Sequence, residues 1–278
     1  MNDLLAQILR LALPLALATL AEVIAERGGV VNLALEGMML AGAFVAWLVA
    51  AGGGPPSLAP ALLAAMASGV ALSALLAFFV VRLRSNAIVA GTALHFLCVG
   101  GTGLLFERWK RSESVTTFGE IGGAAAWLPW AGALLLAVAT VGMLDHTRFG
   151  LALRAAGDAP EALRAAGGSP GRARTLGLLI AGAIAALAGA SLTTVLTGTF
   201  VEGMSAGRGF LALGLVLFAR WNAFGALAAG LFLGGAFALE LRGSTLVSDP
   251  ASAGALVFAL RAFPYLLTIA ALALRRRR

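Results

Sequence analysis

Glu36 has more chemistry open to it than any other acidic residue in this chain, because it stands at the start of a long apolar run with Asn32 one turn before it. A carboxylate inside an apolar span is expensive and is by default a functional hypothesis. Its rival role is a first-turn carboxylate that complements the positive end of a helix. The rival is favoured, with Arg27 as the expected charge partner, and Asn32 is equally able to cap that helix. Thr193, Thr194, Thr197 and Thr199 cluster near the end of a later run and could bond a polar solute, although helix–helix bonding is the commoner use of such hydroxyls. His95 and Cys98 share one helix face at i, i+3, but a metal site needs further ligands, and the other histidine, His146, falls beyond the next run. No metal is expected. The single Cys98 excludes an internal disulfide. The phosphate-cradling pattern G-x-x-x-x-G-K-[ST] is missing, and Lys110 is the one lysine of the chain. With no His/Asp/Glu constellation in any loop, neither an enzyme nor a cofactor is expected.

A second segment with mechanistic content runs from Arg154 through Gly157, Asp158, Pro160, Glu161, Arg164, Ala165 and Gly167 to Pro170. Asp158 reads as an N-cap, Pro160 and Glu161 suit a first turn, and Gly167-Gly168 supplies the break. The expectation is a helix of about two turns over 158–167, set in a long polar connection at 146–174. Its alanine-rich faces are smooth enough to sit in a groove on another protein. An ordinary capped loop helix remains the alternative.

The elements that position these residues are apolar throughout. Hydrophobic residues make up 60% of the 278 and charged residues only 12%, against roughly 25% charged in a soluble domain. Apolar stretches at 4–23, 35–51, 58–80, 87–106, 127–145, 175–197, 223–241 and 254–274 predict an all-α, polytopic transmembrane bundle. A piece at 208–219 is too short to cross and reads as a broken or re-entrant helix. That gives about eight to nine membrane segments in a single transmembrane domain, 1–278. The runs are continuous rather than alternating, which argues against a β-barrel. Trp127 and Trp130 open their run as an interfacial belt would. The start does not resemble a cleaved signal, since Asp3 offsets the basic end and no small-x-small site follows.

A net charge of +7 is spread over short connections instead of forming a nucleic-acid face, so no nucleic-acid partner is expected. Thirteen of the twenty basic residues fall on one side when the 146–174 connection and the tail Arg275 to Arg278 are placed in the cytoplasm. This places the chain as a multi-pass protein of the cell (inner or plasma) membrane, surrounded by lipid, with a cytoplasmic C-terminus and an outside N-terminus.

Three strings then carry a resemblance. Arg154-Ala155-Ala156-Gly157, Pro160-Glu161-Ala162 and Ala165-Ala166-Gly167 look like the cytoplasmic coupling helix of ATP-binding-cassette importer permeases, in the branch serving simple sugars and nucleosides. Gly29-Val30-Val31-Asn32-Leu33-Ala34-Leu35-Glu36-Gly37-Met38-Met39 is similar to that family's G-V-x-N-I-G-L-E-G-M-M. Gly203-Met204-Ser205-Ala206-Gly207-Arg208-Gly209-Phe210, continuing to Arg220-Trp221-Asn222-Ala223-Phe224-Gly225, resembles the nucleoside-type permeases. The matches keep family order over about residues 12–242; Ala34 stands for a glycine, Ala219-Arg220 for Gly-Arg or Gly-Lys, and Ala223 for a common proline.

The resemblance implies a permease subunit without its own ATPase. It implies a cytoplasmic ATP-binding subunit, a second permease in a heterodimer and an extracytoplasmic substrate-binding protein as partners. Nucleosides or purine-like solutes are the expected cargo, with riboflavin or a simple sugar as alternatives. Gly157, Asp158, Pro160, Glu161, Ala165 and Gly167 would couple to the ATPase. Asn32, Glu36, Phe96, Thr194, Thr197 and Phe210 are candidates for the translocation path, the aromatics as stacking faces for a base. A stand-alone secondary carrier is the reading from another class; it needs midplane acids, whereas Glu22, Glu26 and Glu36 are expected at helix ends or in loops.

Overall fold

The computed structural model describes residues 2–51, 58–110 and 127–246, and within these every regular element is helical. In chain order they are α1 (Asn2–Arg27), α2 (Leu35–Ala51), α3 (Leu58–Ala77, continued by a π turn at Phe78–Arg82), α4 (Ala87–Lys110) and α5 (Leu128–His146). There follow α6 (Arg148–Asp158), α7 (Pro160–Ala165), α8 (Pro170–Ser191, continued by a π turn at Leu192–Thr197), α9 (Arg208–Ala219) and α10 (Ala223–Leu246). Among the described residues six helices are long and apolar enough to cross a membrane, and α2 and α9 are shorter apolar helices. The expected helix at 254–274, the tail Arg275 to Arg278 and most of the 107–126 loop lie outside the described residues.

Two helices form the centre. α1 packs on α8, α9 and α10, while α8 packs on α2 and α3 as well. Small residues let them approach: a Cβ on Gly189 would run into the Met39 carbonyl of α2, and one on Gly234 into Ala12 of α1. Around this centre α3, α4 and α5 leave most of their apolar surface facing outward, as lipid-facing helices do. Trp130 of α5 is tied inward, its indole N–H donating to the Leu9 carbonyl of α1 (3.1 Å).

The structure departs from the sequence expectations at three ends. α1 does not stop at residue 23 but continues through Glu26 to Arg27, so Glu22 lies well inside the helix rather than at its end, and it is fully buried. Glutamate and arginine are good helix formers, and the stop is delayed until Gly29, whose φ of +79° only glycine adopts freely. The polar connection 146–174 is mostly helical: α6 occupies its first half, capped by the Thr147 hydroxyl accepting from Gly150 N–H (3.0 Å). Consequently Asp158 is the last residue of α6, not an N-cap, and the cap of α7 is Ala159 without a side-chain bond. Pro160 explains the break, because the residue before a proline is pushed out of the helical region. The C-terminal end matches expectation: Gly167 (φ +79°) and Gly168 donate back to Arg164 and Leu163 carbonyls in the paired pattern that glycine makes possible.

Candidate functional site: a junction of broken helices and the segment that grips it

α9 has 12 residues, about 18 Å of helix at 1.5 Å per residue, so its N-terminus ends inside the bundle with unsatisfied N–H groups. Glu36 meets them. Its two carboxylate oxygens accept from Gly207 N–H (2.7 Å) and Gly209 N–H (2.5 Å), and the residue is 3% exposed. Glu36 also sits in the first turn of α2, so one carboxylate faces the positive ends of two helices. The arrangement needs Gly209, because a Cβ there would lie 2.6 Å from Glu36 Cα. It also uses Gly207 as the left-handed N-cap at φ 80°.

The approach to α2 is built in the same way. Asn32 is buried; its backbone N–H donates to Glu22 Oε1 (2.8 Å), and its side-chain oxygen accepts from Ala34 N–H (3.1 Å), turning the chain into α2. Beside the junction, the His95 ring of α4 stands edge-on to Phe210 of α9, centroids 5.2 Å apart. The buried Nδ1 of His95 has no hydrogen-bond partner among the described residues.

The α1–α2 elbow that leads to this junction is gripped by α6 and α8. Arg174 of α8 donates to the Gly28 carbonyl (3.0 Å) and to the Ala156 carbonyl (2.7 Å). Gly157 lies against the elbow so closely that a Cβ would be 2.5 Å from the Arg27 carbonyl oxygen. Arg27 in turn donates to the Trp221 carbonyl (3.1 Å), and the Trp221 indole N–H donates to Glu26 (2.6 Å). Trp221 and Arg220 form the α9–α10 turn, with φ of 54° and 55°. Asp145 and Arg154 pair at 3.2 Å and tie α6 to α5. α7 stands clear of this grip: none of its residues is buried, and Glu161 pairs with Arg164 on its surface. That guanidinium holds the Glu161 carboxyl below the usual carboxylate range.

Of the residues expected from sequence to form a path, the structure brings together Asn32, Glu36 and, through His95, Phe210. Phe96 neighbours His95 but is 66% exposed on the outer face of α4. Thr194 and Thr197 fall in the π turn after α8, bonded to the Ala190 and Leu192 carbonyls. Thr193, in contrast, bonds across to the Ala43 carbonyl of α2 (3.0 Å). The expected Arg27 partner of Glu36 goes to Trp221 instead, and backbone N–H groups take its place.

Residues 4–271 match the family described as branched-chain amino acid transport system/permease component. The chain belongs to this family of permeases. It is 34% identical to a putative glucose ABC transporter permease protein of Haloferax volcanii, over 93% of this chain and 87% of that one. It is 32% identical to the guanosine ABC transporter permease protein of Bacillus subtilis (94% and 88% covered) and 30% identical to a nucleoside ABC transporter permease protein of Lactococcus lactis (98% and 91%). No solved structure matches the chain. The permease is thus a multi-pass subunit of an ABC transporter, and such components work with ATP-binding and substrate-binding partners, ATP hydrolysis lying in a separate subunit.

Sequence reasoning missed the partners within this permease: Gly207 and Gly209 for Glu36, Asn32 for Glu22, and Arg174 for the elbow. The Gly207-Arg208-Gly209 spacing at a helix start was the available signal for an anion held by backbone N–H groups. Nothing in the sequence marks Arg174 apart from its neighbour Arg172.

Proposed function

We propose that this chain is the permease half of an ATP-driven importer for nucleosides or related purine-like solutes, and that α7 is its contact with the ATP-binding subunit. The observation that carries the coupling reading is the grip of Arg174 and Gly157 on the α1–α2 elbow. α7 is exposed and follows α6 directly, and the end of α6 is pressed on that elbow. A push on α7 therefore reaches the start of α2 and, through Arg27 and Trp221, the far end of α9. Those are the two short helices joined at Glu36, so one displacement moves both sides of the junction between packed states.

In this reading Gly157, Asp158, Pro160, Glu161, Ala165 and Gly167 form the coupling segment. Asn32 and Glu36 hold the junction, and the exposed Phe210 beside it offers a stacking face to a passing solute. Phe96, Thr194 and Thr197 complete the path where the second permease closes it. The basic side carrying α6 and α7 faces the cytoplasm together with the C-terminus. Nucleosides are favoured because two of the similar permeases are named for guanosine and nucleosides. A sugar is the second reading, supported by the likeness to the putative glucose permease.

Purification in mild detergent, followed by identification of co-purifying chains, tests the assembly; an ATP-binding subunit and a second permease are the expected companions. Uptake of labelled guanosine, glucose and riboflavin in a deletion strain tests the cargo. Unchanged uptake of all three would refute it.

A further inference from the structure

A groove of about 640 Å³ runs between α3 and the first turns of α8. Its walls are Ala74, Phe78, Val81 and Leu176, and Arg82 and Arg172 stand at its end. The π turn Phe78–Arg82 forms one wall and brings Arg82 to the same groove as Arg172. Both arginines are exposed, and neither has a carboxylate partner among the described residues. Arg82 is placed as helix C-termini favour, in the last turn of its element. Arg172 is not: it lies in the N-terminal turn of α8, where the helix dipole disfavours a cation and favours an anion.

We propose that this groove is a binding site for an anionic phospholipid, its phosphate held between Arg82 and Arg172 and one acyl chain lying along Ala74, Phe78, Val81 and Leu176. The chemistry of the two ends selects such a ligand. The wall is apolar and belongs to α3, a helix that turns most of its apolar surface outward. The charge sits where the bundle meets the side carrying α6 and α7. Basic pockets at that level between membrane helices bind anionic headgroups. A free phosphate would use the arginines but leave the wall bare. The site's placement in the cytoplasmic leaflet rests on the orientation proposed above; the binding itself does not.

The test uses the full chain purified with its companions in mild detergent, with retained phospholipids extracted and measured by mass spectrometry. Phosphatidylglycerol is expected to be enriched over phosphatidylethanolamine. The double variant Arg82→Gln, Arg172→Gln is expected to lower its retention roughly tenfold or more. Ala74→Phe, which fills the wall and spares both arginines, should lower it as well. Arg148→Gln, a cation on the same side away from the groove, should leave it unchanged. Equal loss from Arg148→Gln would mean diffuse attraction and overturn the site, as would full retention in the double variant. Displacement by inorganic phosphate with no effect of Ala74→Phe would assign the arginines to a free anion and overturn the lipid. Retention is read without transport, so failure of the importer reading would appear in the companion chains and leave this result standing.

Discussion

Glu36 and Glu161 occupy the same kind of position, the first turn of a short helix, and the fold uses them in opposite ways. Glu36 is sealed in the bundle with both oxygens held by backbone N–H groups of another helix. Glu161 stands in solvent beside Arg164, on a helix with no buried residue. The dipole argument favours a carboxylate equally at both places. Burial separates them. An enclosed carboxylate must have all its bonds made internally and so locks geometry, whereas an exposed one leaves its bonds open for a partner.

The largest effect is expected at the sealed end. Glu36→Ala strips one buried and one half-buried N–H group of their acceptor, a loss of roughly 2–4 kcal/mol, read as a fall in melting temperature in detergent together with loss of uptake. Glu36→Gln should fall between, since its amide keeps one acceptor but turns a donor toward a donor. A variant Glu36→Ala with native stability would end the claim that this carboxylate joins α2 to α9. Next comes Gly157→Leu, whose side chain has no room against the Arg27 carbonyl. Uptake should be abolished while membrane insertion and helical content persist, and normal uptake would break the proposed path from α7 to the elbow.

A smaller loss is expected from Arg174→Gln, which removes charge-assisted bonds to Gly28 and Ala156. Uptake should drop roughly tenfold with the ATP-binding subunit still recovered in pull-downs, separating transmission from docking. Glu161→Lys reverses that pattern: melting temperature stays put while recovery of the ATP-binding subunit falls. The accompanying pH dependence is the slightest effect. Because Arg164 lowers the Glu161 pKa in the folded chain, the pair's contribution is complete above the ordinary carboxylate range. It is lost only as pH falls through the lowered value. Docking measured from neutral to mildly acidic pH should therefore be flat in the native chain.

Much of the architecture was legible from apolar run lengths alone. The helices at 35–51 and 208–219 appear where the sequence placed them: Gly28-Gly29 and the run Gly52 to Pro56 bracket the first, and Gly207 before and Arg220-Trp221-Asn222 after bracket the second. The 146–174 connection was half legible. Gly167-Gly168 ends α7 as the sequence predicts, but the sequence also predicts Asp158 as its cap, because a carboxylate before Pro160 looks like one while α6 is unseen. α6 escaped notice because Arg148, Arg154 and Asp158 dilute its apolar content, and its apolar side, Gly150, Leu153 and Ala156, becomes evident only once it is packed.

The sequence alone determined that the chain crosses a membrane repeatedly as helices. Backbone N–H and C=O groups in hydrocarbon must be satisfied within the span, so apolar length specifies the element without reference to its neighbours. It also placed Glu36 at a helix start, since that depends on local punctuation. The tertiary structure alone decided that Glu36 serves a helix about 170 residues away, with its two N–H donors 171 and 173 positions off. It alone decided that Arg174, not Arg27 or Arg172, grips the elbow. Such pairings depend on which small residues allow which helices to touch, and that contact is a property of the packed bundle rather than of any segment within it.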